Sequence, residues 1–115
     1  MIARVWRGAT PKKKSDRYLA YLEETGVKEC EATTGNCGVY VLRRVDEGRA
    51  EFLFISLWES FEAIKSFAGS DIDKAVYFPE DREFLLEMEP HVRHYEVAVA
   101  SVVESRSRCR GSDPI

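Results

Sequence analysis

The stretch "EFLFISLW", residues 51–58, constrains the fold more than any other feature of the chain. In an extended strand successive side chains point to opposite faces. Phe52, Phe54, Ser56 and Trp58 therefore share one side, and Leu53, Ile55 and Leu57 the other. Both sides are apolar, so both call for cover. A chain of 115 residues builds one domain around one core, too little to shield both faces of a sheet with its own helices. One face is expected to meet helices and the other to meet something else.

The neighbouring segments supply those elements. "GNCGVYVLRRVDEGRAEFLFISLW" reads as strand, turn and strand, with β-branched and aromatic residues on either side of "DEG". "IARVWRG" alternates Ile2, Arg4 and Trp6 against Ala3, Val5 and Arg7, the period of another strand. Thr10 and Pro11 then read as the opening of a helix with Tyr18, Leu19 and Leu22 as its apolar stripe, and Gly26 as its stop. Lys12, Lys13 and Lys14 at its positive end are either solvated or meet an anion. Ser60 caps a second helix with apolar positions Phe61, Ile64, Phe67 and Ala68, ended by Gly69. Ser70 with Asp73 suggests a further short helix carrying Ile72, Ala75 and Val76, broken by Pro79. "PEDREFLLEME" gives a helical turn or two with Phe84, Leu85 and Met88 inward, and "HVRHYEVAVAS" a last strand after Pro90.

The order β-α-β-β-α-β predicts an α+β, ferredoxin-like domain over residues 1–100, an antiparallel four-stranded sheet with its helices on one face. Residues 101–115, "SVVESRSRCRGSDPI", are expected to form a disordered tail. The open sheet face would show water more apolar surface than a monomer usually does, and dimerisation face to face is the simplest remedy.

Charge and cysteine content exclude several classes. With 17 Lys and Arg against 20 Asp and Glu, the chain is not expected to read a nucleic-acid backbone. No segment is long and apolar enough to span a membrane, and "MIARVWRGATPKKK" lacks the core of a signal peptide, so a cytoplasmic location is expected. Cys30, Cys37 and Cys109 form an odd set without a CxxC pair, which suits a reducing compartment. A zinc site from Cys30, Cys37, His91 and His94 is disfavoured, because two histidines three apart on a strand face opposite ways. With no nucleotide loop either, neither metal nor flavin is expected.

The aromatic residues cluster. Trp58, Phe61, Phe67, Tyr77 and Phe78 fall within 21 residues, which serves either a core or a pocket for a flat ligand. "MIARVWRG", "SLWESFEAIKSFAG", "AVYFPED" and "VRHYEV" together resemble the antibiotic biosynthesis monooxygenase family of dimeric α+β barrels, across residues 1–100. The resemblance implies a homodimer with a pocket in each subunit, between the sheet and the helices after the third strand. It also implies one of two activities: oxidation of polycyclic phenols to quinones without metal or flavin, or haem degradation. The haem-degrading branch uses a first-strand Asn, a strand-ending Trp and a His on the following helix. Here the first strand offers Arg4 and Trp6, that helix offers Phe67 and Ala68, and only Trp58 matches.

For cofactor-free oxidation of a small aromatic or polyketide-like substrate, the protein need only hold the ring flat, favour the phenolate and exclude water. Trp58, Tyr77, Phe78 and Trp6 are the candidate walls, and His94 or Arg4 the candidate catalytic partner, His94 because an imidazole accepts a proton near neutrality. Each residue also has a structural reading. Trp58, Tyr77 and Phe78 can be packing residues, His94 a satisfied strand residue, Arg4 a partner for Glu96 across the sheet, and Asn36 a turn former. Two alternatives remain, a non-catalytic barrel that binds an aromatic metabolite and a haem-binding relative.

Overall fold

The computed structural model describes residues 1–102. Beyond the first two residues, the expected tail lies outside the described residues, Cys109 included. Strand β1 spans Ile2–Pro11, helix α1 Ser15–Leu22, α2 Lys28–Ala32, β2 Asn36–Val45, β3 Arg49–Trp58, α3 Phe61–Ala68, α4 Asp81–Phe84 and β4 Arg93–Glu96. The sheet has the order β2-β3-β1-β4 with every pairing antiparallel. This is the ferredoxin-like α+β arrangement, with the helices packed on one face. Among the described residues no helix is long and apolar enough to cross a membrane.

The two faces divide as the strand period requires. Arg4, Trp6, Gly8 and Thr10 of β1 lie opposite Ser56, Phe54, Phe52 and Ala50 of β3, and all eight are buried beneath the helices. Ile64 of α3, Tyr18 and Leu22 of α1, and Cys30 of α2 close over them. Fully burying a Phe or Leu of this layer is worth about 1.5–3 kcal/mol. On the far face Leu53, Ile55 and Leu57 are only half-buried, and Tyr40, Leu42 and Tyr95 are exposed at 58%, 46% and 50%.

Several expectations are corrected by the tertiary structure. Thr10 and Pro11 do not open a helix. They extend β1 against Ala50 and Arg49, and Lys12 N–H donates to the Gly48 carbonyl at 3.0 Å, so the long hairpin keeps the segment extended. A 3-10 turn over Lys12–Lys14 follows, and α1 begins at Ser15. Lys14 Nζ donates to the Glu83 carbonyl at 2.8 Å. Gly26 does not stop the helix; the chain widens into a π turn over Glu23–Val27 and continues as α2. A Cβ on Gly26 would lie 3.1 Å from the Phe54 ring, so the bare backbone lets this turn settle on the sheet.

The helix expected from Ser70 does not form. Backbone groups that a helix would pair internally go elsewhere: Val92 N–H donates to the Asp73 carbonyl and Ala75 N–H to the Pro90 carbonyl, both at 2.8 Å. Arg4 takes the carbonyls of Ile72 and Lys74. The third strand is followed by a Ser60-capped helix as expected, the Ser60 hydroxyl accepting from Ala63 N–H at 3.2 Å, yet Phe61 is exposed at its first turn. After α4, Leu85 is buried but Met88 is not inward; it is exposed. Asn36 does shape a turn: its side chain accepts from Gly38 N–H at 3.1 Å where β2 slips register against β3.

Candidate functional site

A cavity lies between the sheet and its cover, and its floor comes from the strand alternation. Arg4 and Trp6 project from β1, Phe54 and Ser56 from β3. Tyr18, Leu22 and Gly26 form one wall, Phe67 of α3 and Val92 another, and Val76, Tyr77, Phe78 and Asp81 the roof. Gly8 makes room for the floor: a Cβ there would sit 2.2 Å from the Trp6 ring, which leans over the glycine. The void measures about 40 Å³. Benzene occupies engineered cavities of roughly 150 Å³, so the void as it stands is smaller than an aromatic ring needs.

Arg4 is the most unusual group on the floor. It is 4% exposed, and among the described residues no carboxylate lies within ion-pair distance of its guanidinium. Nη1 donates to the Ile72 carbonyl at 2.6 Å and to His94 Nε2 at 3.4 Å, and Nη2 to the Lys74 carbonyl at 2.9 Å. The cation stands 5.8 Å from the centroid of the Phe67 ring. Burial lowers its pKa, with Cys30 and Asp73 pulling the other way. A guanidinium carries five N–H groups, of which these contacts use three. The pairing with Glu96 expected across the sheet is absent; the register sets Arg4 opposite His94 and Glu96 opposite Ile2.

His94 belongs to this group without lining the cavity. Because Arg4 can only donate, Nε2 accepts and Nδ1 carries the proton, facing Asp73 Oδ1 at 3.3 Å. Burial and the Arg4 charge hold the imidazole pKa below its ordinary value, outweighing Asp73. The ring is therefore neutral at pH 7.

Tyr77, Phe78 and Trp6 lie on the cavity wall as expected of a pocket. Trp6 Nε1 donates to Tyr77 Oη at 3.2 Å, and the two rings meet edge to face at 6.2 Å. Tyr77 Oη in turn donates to the Glu89 carbonyl. Trp58 is not on the wall. It is fully buried, its Nε1 donating to Ser56 Oγ at 2.8 Å, and its ring lies 5.6 Å from that of Phe67, which stands between it and the void. A strand-ending residue on the inner face sits under α3, so Trp58 backs the wall rather than forming it.

The sequence does not single out Tyr18 and Asp81 as cavity residues; Phe67, a member of the aromatic cluster, lines the cavity too. Tyr18 Oη donates to Asp81 Oδ1 at 2.9 Å, and Phe78 N–H to Asp81 Oδ2 at 2.6 Å. The spacing in "FPED" carried the signal, since a carboxylate three residues after Phe78 and past a proline closes a turn onto the Phe78 amide. Among the described residues no group of three His, Cys, Asp or Glu side chains is placed to hold a metal ion.

The sheet order, the single helical layer and the cavity between them define a ferredoxin-like domain with a pocket under its helices. Solved structures of this fold include a candidate antibiotic biosynthesis monooxygenase from Bacillus cereus, 19% identical, with a TM-score of 0.60 over 89% of this chain and 97% of that one. A mutant of MhuD, solved with two manganese protoporphyrin IX molecules bound per active site, is 16% identical, with a TM-score of 0.58 over 90% of this chain and all of the other. No family model and no curated protein matches the sequence. The shared feature is the fold. Among the described residues no histidine or cysteine lines the cavity.

Proposed function

We propose that the protein binds a small hydroxylated aromatic in this cavity and oxidises it with dioxygen, without a cofactor. One observation carries the reading: a buried Arg4 cation, with no carboxylate in ion-pair distance among the described residues, at the edge of an aromatic-walled void. Burying a charge unpaired is costly, and a bound oxyanion offsets that cost. The same cation favours the phenolate over the phenol. In this reading Arg4 touches the substrate. His94 positions it, its neutral ring holding Nη1 while Asp73 fixes the tautomer.

The electrons come from the substrate. The phenolate passes one electron to dioxygen, the radical pair combines at a ring carbon, and loss of water leaves a quinone carbonyl. One oxygen atom enters the product and the other leaves as water; the ring C–H and O–H bonds supply the two hydrogens. Trp6, Phe54, Phe67 and Phe78 exclude water from the intermediates. The apolar outer face of the sheet suits pairing with a second copy, which would complete a dimeric barrel.

Oxygen uptake against a panel of hydroxylated polycyclic aromatics tests the reading. Uptake with at least one compound, one dioxygen per quinone, is expected, with Arg4→Met lowering it by about 10²-fold or more, the usual cost of losing a charge-stabilising group. Binding without uptake would favour a non-catalytic carrier, and neither binding nor uptake would overturn the reading.

A further inference from the structure

The roof of the cavity is loosely built over a tightly buried floor. Arg4, Trp6, Phe54 and Ser56 are buried, yet no residue from Asp71 to Glu80 is. The chain over residues 71–80 forms neither helix nor strand beyond a single bridge between Lys74 and His91. Its backbone bonds run to a second irregular segment, Ala75 N–H donating to the Pro90 carbonyl and Val92 N–H to the Asp73 carbonyl, both at 2.8 Å. A segment with so few buried side chains opens locally at a fraction of the global unfolding free energy.

What ties this roof to the floor is polar and centred on one side chain. Arg4 Nη1 donates to the Ile72 carbonyl at 2.6 Å and Nη2 to the Lys74 carbonyl at 2.9 Å, so one planar fork holds two turns of the backbone. The contact of His94 with Asp73 at 3.3 Å and the bond from Trp6 to Tyr77 at 3.2 Å add to it. The two ends of the segment differ. Gly69 has a φ of 90° and open space where a Cβ would lie, so the backbone turns there with no side chain to clear. At the other end Phe78 N–H donates to Asp81 Oδ2 at 2.6 Å and Asp81 N–H to the Phe78 carbonyl at 3.0 Å, which fixes the chain.

We propose that residues 70–77 form a strap that swings from Gly69 to open the cavity, and that Arg4 is the latch that holds it shut. The carbonyls of Ile72 and Lys74 occupy N–H groups of the same guanidinium that an entering oxyanion would meet, so the closed strap and the anion compete for it. Opening lifts Val76 and Tyr77 from a void that is otherwise smaller than an aromatic ring needs, and frees the cation in the same movement. A ligand that binds the freed cation therefore shifts the strap towards its open form. Entry beneath the strap rests on the aromatic-binding reading above; the latch itself does not.

Hydrogen exchange of the full chain, followed amide by amide at low denaturant, tests the latch without any ligand. The amides of Ala75 and Val92 report the strap, and those of Phe52 to Ser56 in β3, the strand flanked by β1 and β2, report the core. In the wild type the strap pair is expected to exchange by local opening, about tenfold faster or more than the β3 amides. Arg4→Lys keeps a cation in place but loses the planar fork that spans two carbonyls. It is expected to speed the strap pair about tenfold further, the worth of one hydrogen bond to a charged group, with β3 unchanged. Strap amides that open only together with β3 in the wild type would overturn the strap. Acceleration of both sets alike in Arg4→Lys, or of neither, would overturn the latch. Adding 4-nitrophenolate to the wild type is expected to speed the strap pair, because the anion takes donors that otherwise hold it. Unchanged or slower exchange in that arm would overturn entry beneath the strap and leave the latch standing.

Discussion

Arg4 and His94 face each other across β1 and β4, with Arg4 Nη1 donating to His94 Nε2 at 3.4 Å. A guanidinium has no lone pair to accept with, so this contact exists only while the imidazole is neutral. Burial first, and the Arg4 charge second, lower the His94 pKa in the fold; Asp73 acts in the opposite sense.

The sign of the pH dependence follows. The unfolded chain takes up the His94 proton near its ordinary pKa of about 6.5, before the folded chain does, so stability falls as pH drops below that value. The loss is complete once the folded His94 is itself protonated, and above pH 7 this group contributes no slope. Thermal melts between pH 7.5 and 5 are expected to show a falling midpoint in the wild type and a shallower fall in His94→Gln. Identical slopes would show that His94 is not the group responsible.

Trp58 and Phe67 are in contact but hold different places, one behind the cavity wall and one on it. Trp58→Phe removes the bond to Ser56 and leaves a gap, with an expected cost of about 1–3 kcal/mol in stability and little change in affinity for a flat aromatic. Phe67→Ala is expected to weaken that affinity by about 1 kcal/mol or more through lost ring contact. Denaturant melts paired with ligand titrations separate the two. A large affinity loss in Trp58→Phe at unchanged stability would return Trp58 to the wall.

Leu53, Ile55 and Leu57 share the outer sheet face with the exposed Tyr40, Leu42 and Tyr95. If a second copy covers this face, light scattering at micromolar concentration is expected to give twice the 13.2 kDa chain mass, and Ile55→Glu, which buries a charge in the contact, to give the monomer. A monomeric wild type would leave the outer face to another partner.

The strands were legible because a period of two survives any tertiary arrangement. "EFLFISLW" and "IARVWRG" assign every side chain to a face, and the register pairs Arg4 with Ser56 and Trp6 with Phe54 on the inner one. The order of elements then gave the ferredoxin-like sheet; aromatic clustering and the family resemblance gave Trp58, Tyr77, Phe78, Trp6, His94 and Arg4 as site candidates, of which Trp58 and His94 do not line the cavity. Local signals failed where distant groups competed for the same backbone. Thr10 and Pro11 make good helix-start chemistry, yet the opposing strand claims them; Ser70 and Asp73 suggest a cap, yet Arg4, Pro90 and Val92 take or supply the hydrogen bonds of the following residues. Trp58 and Phe67 are equally aromatic in sequence, and only packing decides which one faces the void. Asp81 meets Tyr18 across 63 positions, and Arg4 meets His94 across 90. Short-range pattern carries the face and type of each element, because those depend on neighbouring residues. The pairing of buried charges and the shape of a cavity depend on contacts between segments far apart in the chain, which exist only once the sheet and its cover have closed.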